Sequence, residues 1–105
     1  MDFKAMGANL GLEEDEFREL IDLFMETGRS DFDSMKAAIA EGDCDAAAQY
    51  AHTLAGASGN LGLMDLHSAV KCIEQAANEK QLADVSAQVA EIEALFGAIA
   101  GFVEN

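Results

Sequence analysis

His52 is the residue of this sequence best suited to chemistry, because of where a helix would place it. The segment 51–62 reads AHTLAGASGNLG. At about 100° per residue, the His52 imidazole points roughly 150° away from the apolar side of that helix and therefore faces solvent. The apolar side consists of Ala47, Ala51, Leu54, Ser58 and Leu61. The neighbours of His52 on its own face are all small: Ala48, Ala55, Gly56 and Gly59.

This bare surface predicts that another molecule approaches the imidazole. Each glycine in a helix interior costs about 1 kcal/mol relative to alanine. A plain solvated histidine would leave Gly56 and Gly59 without an explanation. Close approach of a partner to His52 would explain both glycines.

An exposed imidazole suits metal binding, general-base catalysis or nucleophilic attack. A metal site needs further ligands at helical spacing. The other histidine, His67, is 15 residues away, and we predict it to be solvated. General-base catalysis needs a pocket, which a smooth helix face does not offer. Nucleophilic attack fits best, because imidazole is partly unprotonated at neutral pH and can attack a phosphoryl group.

A nucleophilic imidazole also needs an acceptor that orients its second nitrogen. The tight turn predicted at Gly62 lays the next helix back along the helix of His52. Counting forward from this turn brings Glu74 and Lys71 near His52. Glu74 is then a candidate orienting acceptor, and Lys71 a candidate partner for phosphoryl charge. Glu74 would also suit an ordinary solvated helix surface, and Lys71 would also suit a generic surface lysine.

The hydrophobic pattern predicts the helices that position these residues. A lead-in over 1–12, with a docking turn around Phe3 and Met6, precedes four amphipathic helices at about 13–41, 44–61, 64–79 and 82–103. The first helix has its apolar stripe at Phe17, Leu20, Ile21, Phe24, Phe32, Met35 and Ile39, and Gly28 on that stripe predicts a bend. Because short connections make sequential helices neighbours, we predict an all-α fold, an antiparallel up-down four-helix bundle with a short N-terminal lead-in. It forms one domain over 1–105, with a core of about 13–103.

Composition limits the classes of partner. The net charge is −14, with only six Lys plus Arg, which argues against nucleic acid and against anionic membranes. No stretch approaches the roughly 20 apolar residues of a membrane span, and the N-terminus has no signal-peptide pattern. We therefore predict a cytoplasmic protein. Cys44 and Cys72 lack CxxC spacing and are predicted to be reduced, structurally inert thiols.

The segment from His52 to Gly62 resembles the signature of histidine-containing phosphotransfer (Hpt) domains. That signature is His-x-Leu-Lys-Gly, followed by small residues and Leu-Gly; this chain has HTLAGASGNLG. The resemblance continues through Leu66 and the segment 72–77, and with 38–43 upstream it covers most of 13–80. One position departs from it: Ala55 stands where the family usually has a lysine that attracts the phosphoryl group. Our hypothesis is that Lys71 supplies the missing charge.

The resemblance implies a four-helix bundle that relays phosphoryl groups. His52 would accept a phosphoryl group from a receiver-domain aspartate and pass it to another receiver. The receiver brings the Mg²⁺, so the chain itself would need no cofactor, metal site or ATP site, and would act as a phosphocarrier rather than a stand-alone enzyme. Implied partners are response-regulator receiver domains and a histidine kinase or hybrid kinase. We expect a monomer, with a docking surface at Ala48, Gln49, Ala55, Gly56 and Gly59.

Two other functions remain open on the sequence. A docking module that has lost transfer would agree with Ala55, although the intact His52 argues against it. A phosphoacceptor domain of a histidine kinase would agree with Glu74 and the polar flank of its helix. Dependence on ATP and a kinase domain, rather than on a phosphorylated receiver, separates this second alternative from a relay.

Overall fold

The computed structural model describes residues 2–104, and the secondary structure in this range is entirely helical. The five α-helices are α1 (Phe3–Asn9), α2 (Glu14–Ala40), α3 (Cys44–Asn60), α4 (Met64–Asn78) and α5 (Ser86–Glu104), with a 3-10 turn at Leu82–Asp84 before α5. The four predicted helices are therefore present as α2 to α5. The last begins four residues later than predicted, because the 3-10 turn and Val85 precede it.

Local sequence explains where the helices begin and end. The Asp43 side chain accepts a hydrogen bond from the backbone N–H of Ala46 at 3.1 Å and caps α3. At the start of α2, the Glu16 carboxylate accepts from the backbone N–H of Glu13 at 3.0 Å. Gly42 and Gly62 have φ of +70° and +77° in the turns after α2 and α3, a conformation that strongly favours glycine. These two turns leave only short connections on either side of α3.

The lead-in is helical, which the sequence pattern did not predict. Asp2 caps α1 by accepting from the backbone N–H of Ala5 at 3.1 Å. Phe3 is buried, with its ring centroid 5.8 Å from that of Phe17 on α2. A helix of seven residues makes barely two turns, too few to establish a hydrophobic period. The helical conformation of α1 is stabilised by its packing on α2, which its sequence alone does not indicate.

One hydrophobic core joins all five helices. The Phe96 ring of α5 stacks between Phe24 and Phe32 of α2, at centroid distances of 5.9 and 5.4 Å. Leu20, predicted on the apolar stripe of α2, is instead 40% exposed, and α2 continues through Gly28 without a break. A Cβ on Gly28 would lie 3.4 Å from Leu54 Cδ1. Gly28 is therefore a site of close packing between α2 and α3.

The last helix, α5, corrects the prediction that no stretch of the chain approaches the length and hydropathy of a membrane span. Ser86–Val103 spans 18 residues with a mean hydropathy of 1.3, long and apolar enough to cross a membrane by length and composition alone. Alanine and glycine make up much of this segment, with Glu91 and Glu93 as its only charged residues. Its largest side chains on one face, Ile92, Phe96 and Ile99, are buried in the core. Only 17% of the segment is buried in the protein, and a single helix of this kind is weak evidence for a membrane span.

Candidate functional site

His52 lies in the middle of α3 with its imidazole facing outward. Its side chain is 77% exposed, whereas Ala51 and Leu54 beside it are fully buried. The prediction that His52 faces solvent is confirmed, because the apolar side of α3 packs on the core. A partner therefore has direct access to the imidazole.

Glu74 of α4 holds one nitrogen of this exposed ring. Its Oε2 atom lies 2.8 Å from His52 Nδ1. An ionised carboxylate only accepts hydrogen bonds, so Nδ1 carries the hydrogen in this pair. In the neutral ring, Nε2 then has the free lone pair. The predicted proximity of Glu74 to His52 is found, and Nε2 is the ring nitrogen that this contact leaves free.

Lys71, one turn earlier on α4, holds the other oxygen of the same carboxylate. Its Nζ atom lies 3.0 Å from Glu74 Oε1, and only 13% of the Glu74 side chain is exposed. Burial acts to raise the pKa of Glu74, but hydrogen bonds from Lys71 and His52, together with their charges, outweigh it and lower the pKa below its ordinary value. Glu74 therefore remains ionised at neutral pH and keeps its acceptor role towards Nδ1.

Ala55 corrects the predicted docking surface. Its side chain is buried, with 2% of the residue exposed, because the α3 face three residues after His52 is covered by the hydrophobic core. Of the other predicted docking positions, Gln49 and Gly56 are exposed, while Ala48 and Gly59 are partly buried. Gln49 and Gly56 are therefore accessible beside His52, whereas the Ala55 side chain is not.

His67 is not the freely solvated histidine that the sequence predicted. It is partly buried, and its Nδ1 lies 2.7 Å from the backbone carbonyl oxygen of Ala55. A Cβ on Gly59 would lie 2.9 Å from the same Nδ1, closer than side chains allow, whereas a Cβ on Gly56 would meet nothing within 4 Å. Gly59 therefore admits a ring of this chain, and only Gly56 leaves open space beside His52.

The remaining polar groups give no sign of a metal centre. Within residues 2–104, no three or more His, Cys, Asp or Glu side chains come together as metal ligands. Cys44 and Cys72 are free thiols, the first partly buried and the second exposed. An open groove runs along the outer side of α4 and is lined by Lys71, Cys72, Glu74, Gln75, Asn78 and Glu79. The polar surface of α4 therefore extends past Glu74 to Gln75, Asn78 and Glu79.

The sequence model of the Hpt domain family matches residues 19–102, which include the His52–Glu74 pair. The chain belongs to the Hpt domain family. Its structure is also similar to the crystal structure of histidine-containing phosphotransfer protein B (HptB) from Pseudomonas aeruginosa PAO1. The two have a TM-score of 0.85 and 26% sequence identity over 99% of this chain and 90% of that chain. No curated protein sequence matches the chain significantly.

Membership of this family and the likeness to HptB identify the chain's function as histidine phosphotransfer in a phosphorelay. The proximity of Glu74 and Lys71 to His52 was predicted from the sequence, whereas the contact of His67 with α3 was not. The only signal was the pairing of Gly59 with His67. Gly59 and His67 lie on different helices, so their contact becomes visible only when the structure shows how α4 packs on α3 after the turn at Gly62.

Proposed function

We propose that His52 is the phosphoacceptor of this Hpt domain and that Nε2 is the reacting atom. The observation that carries the proposal is the 2.8 Å contact between Nδ1 of a largely exposed imidazole and Glu74. The contact occupies one nitrogen and leaves the other facing outward. A donor aspartyl phosphate could therefore reach Nε2 without any rearrangement of α3.

In the proposed step, the Nε2 lone pair attacks phosphorus and forms an N–P bond. The P–O bond to the receiver aspartate breaks, and its electron pair leaves with the aspartate carboxylate. The receiver's Mg²⁺ supplies charge neutralisation on that side. The ring, still protonated at Nδ1, gains positive charge, which the Glu74 carboxylate stabilises at 2.8 Å. Transfer to the next receiver is the reverse reaction with a second aspartate.

We propose that Lys71 compensates for the uncharged Ala55. The lysine side chain is 52% exposed and bound to Glu74 at 3.0 Å. Ala55, by contrast, is buried and offers no charge. Because surface ion pairs hold side chains weakly, Lys71 can turn from Glu74 towards a phosphoryl group on His52. It would then contribute a charge-assisted hydrogen bond to that group.

The proposed docking surface is narrower than the sequence suggested. It consists of Gln49 and Gly56, with Ala48 and Gly59 at its partly buried edges. Receiver domains would approach there, and a histidine kinase or hybrid kinase would supply the phosphoryl group upstream. We propose that the domain works in the cytoplasm as a monomer. We further propose that α2 to α5 form an antiparallel up-down bundle, which the short turns on either side of α3 support.

The test is transfer from a labelled phospho-receiver with Mg²⁺ to the intact chain and to His52→Gln. We expect acid-labile, alkali-stable label on the intact chain and none on the variant, with both chains equally folded by thermal melting. Label on both chains would contradict the assignment of His52. If label needs ATP and a kinase domain instead of a phospho-receiver, the chain is the phosphoacceptor of a kinase. Receiver binding without any label indicates a docking module.

A further inference from the structure

His67 occupies a position between α3 and α4 that the phosphotransfer chemistry does not itself require. It lies in the first turns of α4, and its Nδ1 is 2.7 Å from the carbonyl oxygen of Ala55 on α3. A carbonyl oxygen only accepts, so Nδ1 carries the hydrogen. This contact links the backbone of the helix that carries His52 to the helix that carries Glu74.

The Ala55 carbonyl is a focus of polar contacts at the buried side of α3. The Ser58 hydroxyl, itself fully buried, lies 3.1 Å from this oxygen and 2.9 Å from the carbonyl oxygen of Leu54. The buried Ala55 side chain leaves the region without a charge. Among residues 2–104, the imidazole of His67 is the α4 side chain that forms a hydrogen bond with this carbonyl.

The space for the His67 ring comes from Gly59. A Cβ at this position would lie 2.9 Å from Nδ1 and 3.2 Å from Cε1 of His67. Such a Cβ would force the ring to move, since van der Waals contact between these atoms needs a larger distance. A glycine at position 59 lowers helix stability relative to alanine. The space left by its missing side chain is occupied by the His67 ring.

His67 shares a face of α4 with the two residues that serve His52. Lys71 follows it by one turn and Glu74 by two turns, at the i+4 and i+7 positions. The contacted residues of α3 are in the opposite order along the chain: His67 contacts Ala55, and the later residue Glu74 contacts the earlier residue His52. These two polar contacts join the helices at two levels, in addition to the hydrophobic core that α3 and α4 share. A shift at the first contact would therefore move Glu74 relative to His52.

We propose that His67 is a positioning residue, seated over Gly59 and hydrogen-bonded to Ala55, that holds α4 so that Glu74 stays on His52 Nδ1. This inference rests on the proposed role of His52 as phosphoacceptor. His67 takes no part in the bond changes at phosphorus. It acts through the geometry of the His52–Glu74 pair.

Two substitutions of His67 separate its hydrogen bond from its bulk. The amide nitrogen of asparagine occupies the place of Nδ1, whereas that of glutamine occupies the place of Nε2. His67→Asn should therefore keep the bond to Ala55, and His67→Gln should lose it. Gly59→Ala displaces the ring by a different route, and it favours helix formation. Gly97→Ala is its matched control, because a Cβ at the helical Gly97 of α5 meets nothing within 4 Å.

The experiment combines ¹⁵N NMR of the His52 ring with initial rates of transfer from a phospho-receiver. In the intact chain we expect hydrogen on Nδ1 of both His52 and His67. For His67→Gln and Gly59→Ala we expect a mixed tautomer signal at His52 and a transfer rate lower by about tenfold, the scale of a small misplacement of reacting groups. His67→Asn and Gly97→Ala should keep the intact chain's His52 signal and remain within about twofold of its rate.

The proposal is overturned if His67→Gln keeps both the His52 signal and the rate. It is also overturned if His67→Gln slows transfer while the His52 signal stays unchanged. A third contradicting result is that His67→Asn changes the signal and the rate as much as His67→Gln does. If the intact chain accepts no phosphoryl group, the proposed function fails. The ring signals would still decide whether His67 positions the His52–Glu74 pair, so the two failures are distinguishable.

Discussion

The two histidines of this protein occupy the same helix pair and yet suit opposite tasks. His52 is 77% exposed and meets a carboxylate at 2.8 Å. His67 is partly buried and meets a backbone carbonyl at 2.7 Å. A carboxylate can balance the positive charge that a ring gains on phosphorylation, whereas a neutral carbonyl balances much less of it. The exposure of His52 and the negative charge of its acceptor are why we propose His52, and not His67, as the reacting ring.

The two glycines beside His52 show a similar division. Both lie on α3, and the sequence indicated that both clear space for a partner. Gly56 does leave open space, but the space at Gly59 is filled by the His67 ring. A bare helix face in a sequence therefore does not say whether another molecule or the same chain fills it. Only the packing of α4 against α3 separates the two cases.

The carboxylate of Glu74 gives the largest expected effect after loss of His52 itself. Glu74→Ala should lower the transfer rate by about 10- to 100-fold, by analogy with the cost of removing the hydrogen-bond partner that orients a metal-ligating histidine. Glu74→Gln should lower the transfer rate less than Glu74→Ala does, because its amide oxygen can still accept a hydrogen bond from Nδ1. It should still be slower than the intact chain, because the amide supplies no negative charge. The measurement is the initial rate of labelling from a phospho-receiver. Equal rates for the intact chain and Glu74→Ala would remove the distinction drawn between the two histidines.

Lys71 is expected to have a smaller effect. Lys71→Ala should lower the transfer rate by about three- to tenfold and shorten the phosphohistidine lifetime, because one charge-assisted hydrogen bond to the phosphoryl group is lost. Lys71→Arg keeps the charge and serves as the control. Decay of labelled protein after removal of the receiver gives the lifetime. If rate and lifetime are both untouched in Lys71→Ala, this lysine does not replace the charge missing at Ala55.

The smallest expected effect is on the pH dependence of stability. The pKa of Glu74 is lowered in the folded chain, since contacts with Lys71 and His52 outweigh burial. Its stabilising contribution is therefore full above the unfolded glutamate pKa, about 4.3, and disappears as pH falls through the lower folded pKa. Denaturant unfolding of the intact chain and Glu74→Gln, from about pH 7 to about pH 3, should show a stability difference that shrinks with acid. A difference that grows with acid would contradict the lowered pKa.

Much of the fold could be predicted because its long helices have regular apolar periods. The face of α3 opposite His52 and the neighbourhood of Glu74 followed from helical spacing and one tight turn. The helix α1 was missed because seven residues are too few for a period, and the hydropathy of α5 was underestimated because small residues supply much of it. The burial of Ala55 and the hydrogen bond of His67 depend on how closely two helices approach, which spacing within one helix does not encode.

The most direct test of His52 as the phosphoacceptor is to locate the phosphoryl group after transfer, by ¹⁵N and ³¹P NMR of the labelled chain. We predict a phosphorus–nitrogen bond at Nε2 of His52, with Nδ1 still bearing its hydrogen towards Glu74 and with the signals of His67 unchanged. A phosphoryl group on His67, or on Nδ1 of His52, would contradict it.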